Sequence, residues 1–193
     1  MATATVLKPR SKKLWTFTEL TAKLPESNTP TELWDGELIM SPAPTPSHQD
    51  IVLNFASLLR KFVATKKLGK VFVSPIDVVL SQRRAVQPDV LFISTARLSL
   101  IQEVIRGAPD LVAEVVSAGS WKRDRVDKKG LYEQFGVPEY WIIDPEARAI
   151  EVFALAKPGY QLHSRATELD ESAKSKLLAS FSVHWGQLLE STF

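Results

Sequence analysis

Three charged residues interrupt otherwise apolar stretches of the sequence, and their chemical types suit metal-assisted hydrolysis. Glu114 stands in the middle of LVAEVVS, where the alternation of a strand places it on the same face as Val112 and Val116. Asp89 interrupts a second apolar stretch, QPDVLFIS, and Lys128 lies on a helical stripe that apolar residues continue. Because an unpaired carboxylate in a core costs several kcal/mol, Glu114 requires a partner.

The two acids could share one cation. If the strands that carry Asp89 and Glu114 are neighbours, their carboxylates approach one divalent ion, and a backbone carbonyl near Val115 could complete its shell. Mg²⁺ (or Mn²⁺) suits such a site, because it takes oxygen ligands and is often held by only one or two carboxylates. It would lower the pKa of a water and neutralise charge on a phosphodiester, while Lys128 holds the attacking water or stabilises that charge.

The elements that must position these residues predict a mixed α/β fold. LVAEVVS, the helix after it and YWIID form a strand–helix–strand unit, and ELWDGELIM predicts a hairpin with its turn at Asp35-Gly36. A long helix capped by Ser47 is expected over HQDIVLNFASLLRKFVATKK. Further strands are expected at 71–80, bent at Pro75, and at 86–94, a helix at 123–135, and an amphipathic segment at 177–189.

The bulk composition is that of an ordinary globular protein, with 193 residues, 45% hydrophobic and 24% charged residues, and a net charge of +2. We expect a flexible basic arm at 1–13 and a single domain at 14–193. The absence of cysteine excludes disulfides, thiolate zinc sites and cysteine nucleophiles. No apolar run reaches the roughly 20 residues of a membrane span, and no signal peptide is evident, which predicts a cytoplasmic protein.

Several stretches together resemble the Uma-two endonuclease family of the PD-(D/E)XK nuclease superfamily. They are DGELIMSPAPTPSHQ, QPDV, GAPDLVAEVVS and DRVDKKGLYEQFGVPEYWIIDP, and the resemblance extends from about Thr16 to Leu162. It implies a restriction-endonuclease-like core, a mixed sheet flanked by helices with the site at one sheet edge. It also implies a Mg²⁺- or Mn²⁺-dependent endonuclease acting on nucleic acid, with DNA the expected substrate.

The resemblance assigns roles residue by residue. Asp89 is the aspartate of the motif and Glu114 its second acid, but Val116 stands where the parent motif has its lysine. The stretch DRVDKKGLY matches the family's Asp-x3-Lys-x3-Tyr pattern, which makes Lys128 the substitute. Glu37 and His48 are further catalytic candidates, Glu37 as an early acid and His48 for phosphate contact or acid–base chemistry. A homodimer is expected by analogy, since two strands suit a two-fold axis.

Each assignment has a structural alternative. Glu114 could form a buried ion pair with Lys128 or an arginine without any metal, and Asp89 could be a strand-end aspartate bonded to backbone. Lys128 could extend past the core edge to solvent, Glu37 could be a surface charge of the hairpin, and His48 could be a plain first-turn residue. The corresponding alternatives in function are an inactive nucleic-acid-binding module and an interaction protein.

Overall fold

The computed structural model describes residues 13–23, 31–117 and 119–189. Its secondary structure alternates helices with short strands, as predicted for a mixed α/β protein. The helices are α1 (Phe17–Lys23), α2 (Pro46–Thr65) and α3 (Lys129–Gln134), and the strands are β1 (Thr31–Trp34), β2 (Glu37–Met40), β3 (Gly69–Val73), β4 (Val78–Ser81), β5 (Arg84–Val86), β6 (Val90–Ser94), β7 (Ile105–Arg106), β8 (Leu111–Val115), β9 (Glu139–Asp144), β10 (Ala149–Leu155), β11 (Tyr160–Thr167), β12 (Ala173–Lys174) and β13 (Ser182–Val183).

A six-stranded mixed sheet forms the centre of the fold, in the order β11-β10-β9-β8-β6-β3. Strands β8 and β9 are parallel, and the helical segment between them makes the crossover that the strand–helix–strand pattern predicted. Strands β6 and β8 are antiparallel neighbours, with Val90 opposite Ala113. The two strands associated with Asp89 and Glu114 are therefore adjacent, which is the condition that a shared site required.

Helix α2 covers one face of this sheet. The predicted apolar stripe, including Ile51, Phe55 and Leu59, is buried against the sheet together with residues from the C-terminal region. The predicted cap was wrong, because Thr45 and not Ser47 caps the helix. Pro46 is the reason: it suits the first helical position, where no backbone N–H is needed, so the helix begins one residue before Ser47.

The opposite face of the sheet packs against α3 and a second sheet, in the order β2-β1-β5-β4-β7. The predicted hairpin forms β1 and β2, and its turn residues Asp35 and Gly36 both adopt positive φ. Two predicted strands are each divided between the sheets. Residues 71–80 become β3 and β4, and residues 86–94 become β5 and β6, so Asp89 immediately precedes β6 and does not lie inside a strand.

The two ends of the chain were predicted to be a basic arm and an amphipathic segment. The predicted basic arm at 1–13 lies outside the described residues, except for Lys13. The predicted amphipathic segment at 177–189 forms β13 and a short 3₁₀ turn at Trp185–Leu188, with Leu178, Phe181 and Val183 buried and Leu177 and Leu189 exposed. Among the helices of the described ranges, none has the length and apolar character needed to cross a membrane.

Candidate functional site

Glu114 lies near the carboxyl end of β8 and is only 3% exposed. It is held by two donors from the helical segment that follows the strand. The Nζ of Lys128 donates to Oε1 at 2.9 Å, and the hydroxyl of Tyr132 donates to the same oxygen at 2.7 Å. This contact identifies the partner that the sequence required for Glu114, and both hydrogen bonds fall on one of its two oxygens.

Lys128 reaches Glu114 from a widened helical turn. Residues Arg123–Lys128 form a π-helical turn that continues directly into α3. Such turns are rare in proteins, and those that occur are often found at functional sites. The position two residues after Glu114 is Val116, which packs in the core on the α3 side of the sheet. The ammonium group thus approaches the acid from the helix and not from the strand, as the family pattern implied.

Glu32 is a site residue that the sequence reading missed. Its Oε1 lies 3.0 Å from Nζ of Lys128. The backbone N–H of Gln87 and the indole N–H of Trp34 each donate to its carboxylate at 3.0 Å. An acid two residues before a tryptophan in a short strand was the available signal, because alternation places both side chains on one face.

Asp89 and His48 bracket the peptide group of Val115. The N–H of Val115 donates to Oδ2 of Asp89 at 2.8 Å, and Nε2 of His48 lies 3.0 Å from the Val115 carbonyl oxygen. The same His48 nitrogen is 3.3 Å from Oδ2 of Asp89. The side chains of Asp89 and His48 are each about 15% exposed, so solvent reaches both. Glu114, which precedes Val115 in β8, is buried.

The charges at this end of the sheet are unbalanced. Four carboxylates, those of Glu32, Asp89, Glu114 and Asp124, influence one ammonium group, that of Lys128. Burial and the neighbouring acids raise the pKa of Glu114 well above its usual range, even though Lys128 opposes the shift. Burial likewise raises the pKa of Asp124. Excess negative charge at a buried position is a favourable environment for a cation.

The same acids raise the pKa values of Lys128 and His48. Burial alone would lower the pKa of Lys128, but the charges of Glu114, Glu32 and Asp124 raise it, so the amine stays protonated. Burial also opposes protonation of His48, yet the hydrogen bond and charge of Asp89 raise its pKa above 6.5. Asp89 therefore favours the protonated form of His48, which gives the cluster a second cationic side chain beside Lys128.

Glu37 occupies a different part of the hairpin. It lies on β2, directly opposite Trp34 in the strand register, and is half-buried. The acid of this hairpin that contacts Lys128 is Glu32, on the neighbouring strand. The structure thus joins Asp89, Glu114, Lys128, His48 and the Val115 carbonyl at one end of β8, with Glu32 beside them.

The donor set at this end of β8 suits a hard cation. In the described ranges, no group of three or more histidine or acidic side chains is arranged to hold a metal. The hydrogen bonds described above use Oδ2 of Asp89 and Oε1 of Glu114, so Oδ1 and Oε2 lie outside them. Two carboxylates with a nearby carbonyl fit Mg²⁺, which is commonly held by one or two carboxylates and completes its shell with water and phosphate oxygens.

Comparisons with known proteins place this geometry in context. No curated protein matches the chain. A solved structure, described as a "putative nuclease belonging to DUF820 from Anabaena variabilis", matches with a TM-score of 0.76 and 19% identity, over 90% of this chain and 96% of that chain. The match confirms the predicted nuclease-like fold. The model of the Uma2 family, described as "Putative restriction endonuclease", matches residues 17–186, and the protein therefore belongs to the Uma2 family.

Proposed function

We propose that this protein is a Mg²⁺- or Mn²⁺-dependent endonuclease that hydrolyses phosphodiester bonds in DNA. The observation that carries the proposal is the cluster of four carboxylates around Lys128 at one end of β8. Burial first, and the neighbouring acids second, raise the pKa of Glu114 and Asp124, so ionisation of these two acids is costly without a further cation. A divalent cation bound between Asp89 and Glu114 offsets that cost.

The metal ligands in this proposal are the carboxylates of Asp89 and Glu114 with the Val115 carbonyl oxygen. When bound, Mg²⁺ supplies charge neutralisation for the phosphodiester and lowers the pKa of water. Hydrogen bonds already orient each protein ligand: Val115 N–H holds Asp89, and Lys128 with Tyr132 holds Glu114. Such fixed donors place the ligands without reorganisation during the reaction.

Lys128 acts as a fixed positive charge. Because its pKa is raised and its amine is paired with Glu32 and Glu114, it does not accept a proton at neutral pH. It positions Glu114 and stabilises negative charge that develops on the phosphoryl oxygens. His48, partly exposed beside Asp89, is the group that transfers a proton to or from the reacting water or leaving group.

A second candidate is a catalytically inactive nucleic-acid-binding module on the nuclease scaffold. One observation favours it: Glu114 already has a protonated partner in Lys128 at 2.9 Å, so the acid is paired without a metal. In that case the protein binds nucleic acid with strong salt dependence but does not cut it, and a divalent ion changes neither property.

Nicking of supercoiled plasmid in Mg²⁺ or Mn²⁺ tests the proposal, with a matched pair of aspartates. Asp89 accepts the Val115 N–H at 2.8 Å at one end of the β6–β8 pair, and Asp110 accepts the Ser94 N–H at 2.8 Å at the other. We expect Asp89→Asn to abolish nicking and Asp110→Asn to retain it. Equal nicking by the wild type and Asp89→Asn would reject the mechanism, and no nicking by any form would favour the binding module.

A further inference from the structure

Trp121 is placed unusually for a tryptophan. All five tryptophans lie in the described part of the chain, and Trp121 is 50% exposed while the other four are buried or half-buried. An indole ring contributes most when its large apolar surface is covered, so half-exposing it sacrifices stabilisation. Residues of this kind are commonly kept at surfaces that bind a flat or apolar partner.

Trp121 lies close in the chain to the proposed site, in the same helical segment as Asp124 and Lys128. It begins the helical segment that continues through Lys128 into α3, and it follows a turn in which Ser120 Oγ accepts the Ser117 N–H at 2.9 Å. Two residues further, Arg123 donates to Ser41 Oγ at 2.8 Å. That hydrogen bond joins this segment to the proline-rich loop that leads to His48.

The ring is backed by a fixed cation. The guanidinium carbon of Arg125 is 5.8 Å from the Trp121 ring centroid, and Arg125 is itself held by Asp144 at 2.7 Å and Glu151 at 2.6 Å. One side of the indole thus lies near a rigid group, while half of the side chain faces solvent. The neighbouring Lys122 is also exposed and adds a positive charge to this part of the surface.

We propose that Trp121, with Lys122, forms a stacking platform for an unpaired nucleobase next to the scissile phosphate. This inference rests on the proposed function and specifies its substrate: single-stranded DNA, or duplex that is locally opened. The reason is geometric, because both faces of a base inside a duplex are already stacked, whereas an unpaired base offers a face to an aromatic ring. Lys122 would contact the flanking phosphate.

Direct binding in EDTA tests this inference independently of cleavage. The probes are a fluorescein-labelled single strand of about 12 nucleotides and the duplex of the same sequence, followed by anisotropy. The variants are Trp121→Leu, which keeps apolar cover over Arg125 without a stacking ring, and Trp121→Phe. Leu162→Ala is the matched control, since Leu162 is a similarly exposed apolar residue, 53% exposed, on strand β11.

We expect the wild type to prefer the single strand, Trp121→Leu to weaken its binding about tenfold or more, and Trp121→Phe and Leu162→Ala to stay within about threefold. The salt dependence of binding should be unchanged in Trp121→Leu, because stacking releases no counterions. Equal affinity of the wild type and Trp121→Leu, a preference for duplex, or no single-strand binding would overturn the inference. Trp121-dependent binding in a protein that fails to nick plasmid would instead reject only the proposed nuclease activity.

Discussion

Two buried glutamates at opposite ends of the parallel β8–β9 pair solve the problem of burial differently. Glu139 begins β9 and is completely buried, and its carboxylate accepts four neutral donors: the Trp141 indole, the Ser175 hydroxyl and the backbone N–H groups of Lys176 and Leu177, at 2.6–2.8 Å. These donors engage both oxygens. Glu114, by contrast, shares one ammonium group with three other acids.

The comparison of Glu139 with Glu114 shows that burial of a charged side chain does not by itself indicate a functional site. At Glu139 the donors are fixed dipoles, so a single negative charge is satisfied and the C-terminal segment is tied to the sheet. At Glu114 the acids outnumber the ammonium group, so an added cation or protonation of an acid stabilises the cluster further. Charge imbalance, and not depth, distinguishes the candidate site from the structural one.

The largest expected effect is that of removing the only ammonium group of the cluster. Lys128→Met leaves Glu32, Glu114 and Asp124 buried without a counter-charge, which should lower the free energy of unfolding by about 3–5 kcal/mol at neutral pH and abolish cleavage. Urea denaturation measures the loss. The matched control is Lys129→Met, whose amine lies 3.6 Å from the Phe153 ring centroid and should cost under about 1 kcal/mol. Similar losses for both lysines would contradict the account.

Divalent ions should stabilise the protein, and more so at higher pH. Because the folded-state pKa values of Glu114 and Asp124 are raised, the free energy of unfolding without metal falls as pH rises from the ordinary carboxyl pKa through these raised values. A cation requires the ionised acids, so its benefit grows over the same range. At a hundredfold excess over Kd, Mg²⁺ should add about 2.7 kcal/mol, measured by thermal melting. No stabilisation by Mg²⁺ at any pH, or a larger stabilisation at pH 5 than at pH 8, would contradict this prediction.

The two acids of the β1–β2 hairpin should differ. Glu32→Gln removes an ion pair that holds Lys128 at 3.0 Å, so we expect cleavage to fall about ten- to hundredfold, as for other residues that orient catalytic groups. Glu37→Gln tests the acid of the hairpin that the family resemblance made a further catalytic candidate, and we expect it to cause the smaller loss. The nicking rates of the two variants show which of the two acids supports cleavage. A greater loss for Glu37→Gln than for Glu32→Gln would contradict the role given to the Glu32–Lys128 ion pair.

The smallest expected effect is the loss of one hydroxyl donor from either buried glutamate. Tyr132→Phe removes a hydroxyl that donates to Glu114 at 2.7 Å, and Ser175→Ala removes one that donates to Glu139 at 2.6 Å. Each change should cost about 1–3 kcal/mol of stability, because a buried acceptor loses a donor. Only Tyr132→Phe should also slow nicking, by roughly tenfold. Slowed nicking by Ser175→Ala would indicate that general stability, not the site, controls the rate.

Much of the arrangement around Glu114 follows from local sequence patterns. An acid in an apolar strand, a lysine on the apolar stripe of the next helix and a parallel partner strand place Glu114 and Lys128 together through short-range rules. Glu32 does not follow from such rules. Its contact with Lys128 joins two different sheets and elements far apart in the chain, and the hairpin pattern alone describes both Glu32 and Glu37 as strand residues.

The C-terminal region shows a second limit of local patterns. The apolar spacing at 177–189 indicated an amphipathic segment, and its apolar residues are indeed buried. The carboxylate of Glu139, however, binds the backbone N–H groups of Lys176 and Leu177 at the start of this segment, and the spacing does not indicate that tertiary contact. Similarly, the sequence predicted a helix at 123–135 but not the π-helical turn at Arg123–Lys128 from which Lys128 contacts Glu114.

Calorimetric titration with Mn²⁺ tests the central claim most directly, using the wild type, Glu114→Gln and Glu139→Gln, each verified as folded by its melting transition. The account predicts about one ion per chain for the wild type and Glu139→Gln, and at least tenfold weaker binding for Glu114→Gln. Mn²⁺ binding that is unchanged in Glu114→Gln, or absent from the wild type, would contradict it.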